Sequence, residues 1–238
     1  MSSHHQSEVH LEFEPIGHIR SPFKEKFGIP RQPGVTQHVT GQIVLPNNQT
    51  MKSAIKGIEA CSHLWLLFVF HACPQGKWKP TVRPPRLGGN RHVGVFATRS
   101  PFRPNPIGMS VVRFDGVKED EQALYLCISQ HDLLDQTPIL DIKPYVPYAD
   151  ALEDAHHEWA NASWEVCPVT FSDEAAQTLA QRPHTRALLE EILQQDPRPA
   201  YKKGKPDDKL YGVHIEDLNV QFQFIDGACV VVCVTPQT

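Results

Sequence analysis

His63-Leu-Trp-Leu-Leu-Phe-Val-Phe-His71 is the stretch on which the fold turns. Its apolar part, Leu64 to Phe70, is the longest such run in the chain and falls far short of the roughly 20 residues that a membrane-spanning helix requires. It reads as a strand, and it has company on both sides. Ile16 to Arg20, Gly41 to Leu45, Val93 to Ala97, Ile107 to Phe114, Ala123 to Ser129 and Pro138 to Ile142 are also short, and several alternate apolar with polar residues as half-buried strands do. Only Met51 to Ala60 reads as helical in this region. Many short strands with one connecting helix predict a closed barrel or a sandwich rather than a parallel α/β sheet. Twenty-one prolines against 14 glycines fit irregular, extended backbone and speak against a helical bundle.

Beyond residue 150 the pattern changes. A polar stretch, Asp150 to Asn161, leads to a strand at Glu165 to Phe171 and then to Ser172-Asp173-Glu174, which reads as a helix N-cap with acids in the first turn. Helices are expected near Asp173 to Gln181 and His184 to Gln195, and strands at Tyr211 to Glu216, Asn219 to Ile225 and Ala228 to Val234. Asp226-Gly227, between the last two strands, is a hairpin signal. The expected organisation is a mainly β N-terminal domain over 1–160 and a small α+β C-terminal domain over 161–238.

The formal charge of −4 taken alone argues against a nucleic-acid binder. It conceals a block. From Cys61 to Arg113 there is no Asp or Glu, but there are Lys77, Lys79, Arg83, Arg86, Arg91, Arg99, Arg103 and Arg113, which leaves −12 on the rest of the chain. Such a segment either pairs with acids elsewhere or holds a local positive field for phosphates or a carboxylate-bearing ligand. Six arginines, suited to bidentate anion contact, favour the second reading. A second basic stretch, Asp196-Pro-Arg-Pro-Ala-Tyr-Lys-Lys-Gly-Lys205, is either a connector or a contact for an RNA backbone and a stacked base. Six cysteines without a Cys-x-x-Cys pair suggest neither a zinc ribbon nor a disulfide framework and read as buried thiols. The N-terminus carries no charged-then-apolar signal segment, so a cytoplasmic protein without a membrane partner is expected.

The common nucleotide-binding and hydrolase signatures are missing. His63 and His71 fall on one side of a strand, but no third ligand is identifiable, so no metal is expected. What remains is a set of Pro- and Gly-bearing loops with polar side chains, the makings of a pre-ordered pocket. They are Lys24-Glu-Lys-Phe-Gly-Ile-Pro-Arg-Gln-Pro-Gly34, Arg83-Pro-Pro-Arg-Leu-Gly-Gly89, Ala97-Thr-Arg-Ser-Pro-Phe-Arg-Pro-Asn-Pro-Ile-Gly108 and Asp132-Leu-Leu-Asp-Gln-Thr-Pro-Ile-Leu-Asp-Ile-Lys-Pro-Tyr145.

These loops resemble those of the TsaA-like family, and the two-domain length is similar to its bacterial TrmO branch; the likeness extends to Asp196-Pro-Arg-Pro-Ala-Tyr-Lys-Lys-Gly204. The resemblance implies a single closed β-barrel in place of a Rossmann core. It also implies an S-adenosylmethionine-dependent methyltransferase that acts on N6 of threonylcarbamoyladenosine beside the anticodon of threonine tRNA, working as a homodimer. Position by position, it places cofactor contacts at Pro30, Arg31, Gln32, His71, Ala72, Arg99, Met109, Ser129, Gln130, His131 and Asp132. One departure stands out: Gln136 occupies the place of a family glycine, and a positive φ there would cost Gln about 1 kcal/mol.

Methyl transfer from a sulfonium is an in-line displacement, so the protein must chiefly hold donor and acceptor about 3 to 3.5 Å apart and aligned. Arg31 or Arg99 suits the cofactor carboxylate. A carbamoylated adenine nitrogen is a poor nucleophile until its proton begins to leave, which calls for a general base; Asp135 and Asp141 are the carboxylates nearest the pocket motifs. Each could equally cap a turn or pair with Lys143. Arg86, Arg103, Lys202 and Lys203 are the candidates for tRNA phosphates. A non-catalytic RNA-binding barrel and a small-anion-binding module remain the alternatives.

Overall fold

In the computed structural model, which describes residues 11–73, 78–159, 166–199, 202–203 and 207–237, the first part of the chain contains β1 (Gly17–Arg20), β2 (Thr40–Pro46), α1 (Gln49–Ala54), β3 (His63–Val69), β4 (Thr81–Val82), β5 (Val93–Gly94), β6 (Ile107–Glu119), β7 (Ala123–Ser129), β8 (Pro138–Pro144) and α2 (Pro147–Asp150). The strand order is β1-β2-β7-β6-β3-β8, and β8 pairs back onto β1 through Gly17 with Ile139 and His18 with Pro138, so the antiparallel ladder closes as a barrel. Alternation sends Leu64, Leu66 and Phe68 of β3 inward to meet Ile43, Val112, Leu126, Ile128 and Ile139, which removes one apolar face of each strand from water. Bulges at Leu67/Phe68, between β3 and β8, and at Phe114/Gly116, between β6 and β7, bend the strands.

Two segments differ from expectation. Val93 to Ala97 is not a barrel strand: β5 is two residues long, pairs only with β4, and gives way to a 3-10 turn at Val95–Ala97. The prolines and the left-handed Gly88 and Gly89 around it leave no continuous ladder, and residues 78–104 form a lobe outside the barrel. The helix expected over Met51 to Ala60 stops at Ala54, because Gly57 takes a φ of 88° and the chain resumes as a 3-10 turn at Ile58–Ala60. The cysteines also depart from a uniformly buried set: Cys229 is buried, whereas Cys61, Cys73, Cys127, Cys167 and Cys233 are half-buried, on loops and outward strand positions. Lys77, Glu165, Tyr201 and Lys205 lie outside the described residues.

The last part contains β9 (Val169–Phe171), α3 (Asp173–Thr178), α4 (Pro183–Leu193), β10 (Asp207–Ile215), β11 (Leu218–Ile225) and β12 (Ala228–Pro236) in a sheet ordered β10-β11-β12-β9, with β9 parallel to β12. Ser172 caps α3 by accepting from the Ala175 amide. Asp226 and Gly227 both take positive φ, 49° and 83°, as the two-residue hairpin turn demands. The core under α3 and α4 holds Leu188, Leu189, Ile192, Val213, Val220 and Phe222. It also holds two residues from far upstream, Phe23 and Val39, with Phe27 and Ile29 packed against it. The chain therefore leaves the barrel after β1, threads the C-terminal core, and returns to β2.

Candidate active site

A cavity of about 460 Å³ opens where that excursion faces the barrel, a size within the range of about 300 to 1,000 Å³ typical of small-molecule sites. One wall belongs to the barrel: Phe68 of β3, Gly108, Met109 and Ser110 of β6, and Asp132, Leu133 and Thr137 from the turn after β7. The facing wall is the excursion itself, through Lys26, Ile29, Pro30, Arg31 and Gln32. His71, Ala72, Arg99 and Arg103 complete the rim. Three loops far apart in sequence thus converge on one hollow lined by several cations and, among the described lining residues, a single acid, Asp132.

Asp132 is the chemically unusual group. Burial pushes its carboxyl up to about 6, against the hydrogen bond from Ser110 and the nearby charge of Arg99. Ser110 Oγ donates to its Oδ1 at 2.7 Å, and Ser110 is itself buried because it takes an inward position on β6. The turn that carries Asp132 rests on His131, fully buried, whose Nδ1 accepts from the Leu133 amide at 3.3 Å. Burial pushes His131 down to about 4, so the ring is neutral and acts as packing beneath the site. Across the cavity, Arg99 Nη1 donates to Gln32 Oε1 at 2.7 Å. Arg31 is lowered by burial and by Arg86, and raised by Asp196 of the C-terminal domain.

The model of the tRNA-methyltransferase O N-terminal domain matches residues 18–151, and that of the TrmO C-terminal domain matches residues 165–237. The chain belongs to the TrmO family. It is 47% identical over 234 residues to a tRNA (adenine(37)-N6)-methyltransferase of Escherichia coli K12, covering 95% of this chain and 99% of that one. It is 47% identical over 215 residues to a putative S-adenosylmethionine-dependent methyltransferase, RcsF, of Pseudomonas aeruginosa, covering 88% and 91%. A crystal structure of TrmO from Pseudomonas aeruginosa superposes with a TM-score of 0.78 at 37% identity, covering 97% of this chain and 99% of that one.

Of the residues that the sequence suggested for this TrmO-family chain, Pro30, Arg31, Gln32, His71, Ala72, Arg99, Met109 and Asp132 line the cavity. Ser129, Gln130 and His131 are not among the described lining residues; they build the turn beneath it, with Gln130 at a φ of 60°. Asp135 and Asp141 are also outside the described lining. Burial alone would raise Asp135, but hydrogen bonds from Lys24 and the Ser21 amide outweigh it and hold the carboxyl below its ordinary range. Asp141 pairs with Lys143 at 2.8 Å on the surface. Both carboxylates are engaged by cations, Asp135 by Lys24 and Asp141 by Lys143. Gln136 does adopt a positive φ, 61°.

The phosphate candidates divide. Arg103 lies on the cavity rim, with Nη1 donating to the Thr98 and Val95 carbonyls. Lys202 donates to Asp207 and Tyr211, and Lys203 to the Gln195 carbonyl. The Arg31 charge lowers Lys203 and the Arg86 charge lowers Arg31, so these cations lie near one another. Sequence reasoning missed Ser110, whose inward position on a strand has no motif, and Phe96, which is 75% exposed with the Arg103 guanidinium 5.7 Å from its ring centre.

Proposed function

We propose that this protein transfers a methyl group from S-adenosylmethionine to N6 of threonylcarbamoyladenosine next to the anticodon of threonine tRNA. The observation that carries this reading is the convergence of a buried, hydrogen-bonded carboxylate and an arginine fork on one partly apolar cavity in a TrmO-family chain. The cavity suits the cofactor by volume and by its groups: Arg31 and Arg99 match an α-carboxylate, and Phe68, Ile29 and Leu133 match an adenosyl body. When bound, the cofactor supplies an electrophilic methyl on a sulfonium.

The residues of the chain then do three things. Arg31 and Arg99 orient the donor by its carboxylate, so that the methyl and the acceptor nitrogen meet in line. Phe68, Ile29 and Leu133 exclude water from the reacting atoms. Asp132 takes the proton that N6 loses as its bond to carbon forms: Ser110 occupies Oδ1 and leaves Oδ2 for that proton. An aspartate with a pKa near 6 is mostly ionised at neutral pH and a stronger base than an ordinary surface carboxylate.

On the RNA side, the lobe over 78–104 carries Arg83, Arg86, Arg91 and Arg103 without an acid, and exposed Phe96 offers a ring on which a base can stack. The reading includes a cytoplasmic homodimer. Among the described residues no helix is long and apolar enough to cross a membrane. The test is to incubate the protein and S-adenosylmethionine with threonine tRNA bearing the threonylcarbamoyl group, then examine the nucleosides by mass spectrometry, with light scattering for the dimer. Gain of one methyl on that nucleoside is expected. Binding of tRNA without any cofactor heat in calorimetry would leave only an RNA-binding barrel.

A further inference from the structure

The excursion over Ser21–Val39 belongs to the barrel by sequence and to the C-terminal domain by packing. At its start, Phe23 is buried in the C-terminal core, Phe23 bridges Ile215, and Phe27 lies nearly parallel to the rings of Tyr211 and Phe222, 6.1 and 6.2 Å from their centres. Gly28 takes a φ of 87°, and any Cβ there would lie 2.8 Å from Val213 Cγ2, so the backbone itself lies against β10. Glu25 Oε1 accepts from the His214 amide at 2.9 Å. At its end, Val39 is buried in the same core. Between these anchors come Ile29, Pro30, Arg31 and Gln32, one whole wall of the cavity.

Glu191 of α4 closes this arrangement. Its Oε2 accepts from the backbone amides of Gln37 and His38 at 2.8 and 2.9 Å, and its Oε1 lies 2.9 Å from His38 Nδ1. Gln37 passes the constraint on: its Oε1 accepts from Gln130 Nε2 at 2.7 Å, and the Gln130 carbonyl accepts from the Gly34 amide at 2.9 Å. One carboxylate of the C-terminal domain is therefore linked, through Gln37, to the turn that carries Asp132 and to the loop that carries Arg31.

We propose that the C-terminal domain shapes the cofactor wall, and that Glu191 is the positioning residue that holds the Pro30–Gln32 loop in its binding-competent form. This rests on the reading of the cavity as the S-adenosylmethionine site. Two amides that lose a charged acceptor each forfeit a strong hydrogen bond, so the loop would populate its competent form only part of the time. Apparent affinity falls in proportion to that fraction.

The experiment is calorimetry of S-adenosylmethionine on the full chain and its variants, with tRNA binding measured alongside. Glu191→Ala is expected to weaken cofactor binding by about tenfold and to raise the cofactor KM with kcat at saturation retained, while tRNA affinity stays at the wild-type value. Glu191→Gln, which keeps an oxygen for both amides, should restore most of the affinity. Arg182→Ala, which breaks the exposed pair with Asp217 in the same domain, serves as the control and should bind cofactor as the wild type does. Equal losses in Glu191→Ala and Arg182→Ala, or no loss in Glu191→Ala, would overturn the proposal. Absence of cofactor heat in the wild type would instead overturn the reading of the cavity. Should Glu191→Ala not fold, hydrogen exchange on the cofactor-free wild type decides: the Gln37 and His38 amides should open together with α4, and free exchange there while α4 stays protected would refute the latch.

Discussion

On one side of the cavity, Ser110 stands on a barrel strand and Asp132 on the turn that follows another; on the other, Pro30, Arg31 and Gln32 stand on a loop with no strand of its own. The first wall inherits its rigidity from a closed ladder and a core packed beneath it. The second is held because both ends are buried in a different domain and a glutamate grips it at Gln37 and His38, just before the second anchor. The difference shows two routes to a pre-ordered pocket. Under the proposed function the two walls have separate tasks: the barrel wall carries the proton acceptor, and the loop wall carries one of the two arginines that hold the cofactor.

The largest effect is expected on the reacting side. Asp132→Asn should lower kcat by about 10²- to 10³-fold with cofactor heat retained. In the wild type, protonation of Asp132 removes the proton acceptor, so the single-turnover rate should fall as pH drops through about 6, and the variant should lose that limb. An unaltered limb in Asp132→Asn would transfer the proton to another group.

Beneath the same wall, a Cβ on Gly41 would lie 2.6 Å from His131 Nε2 and 2.9 Å from the Arg20 carbonyl. Gly41→Ala should therefore cost about 1 to 3 kcal/mol in chemical denaturation and disturb the Asp132 turn. On the lobe outside the barrel, Phe96→Ala should raise the KM for tRNA by about tenfold without altering cofactor affinity, and Phe96→Trp should restore it. Equal recovery by Phe96→Leu would mean that the ring is a greasy contact rather than a stacking platform. The smallest effect is at Gln136: with φ at 61°, Gln136→Gly should stabilise the chain by about 0.5 to 1 kcal/mol, measured as a shift in denaturation midpoint.

The strands β3, β6 and β7, the Ser172 cap and the Asp226-Gly227 hairpin were legible in the sequence because each depends on residues within a few positions of one another. The Pro- and Gly-bearing loops likewise announced a pocket and the family that shares it. The choice among carboxylates was not legible. Asp132 and Asp135 are three residues apart and alike in local sequence, yet burial raises one while Lys24, 111 residues away in sequence, holds the other down. Nor could the sequence reveal that the Pro30–Gln32 wall answers to Glu191, more than 150 residues further on. Backbone pattern is a local property of the chain, whereas the pKa of a side chain and the stiffness of a loop are set by whatever the fold brings within a few ångströms, and only the tertiary structure determines that.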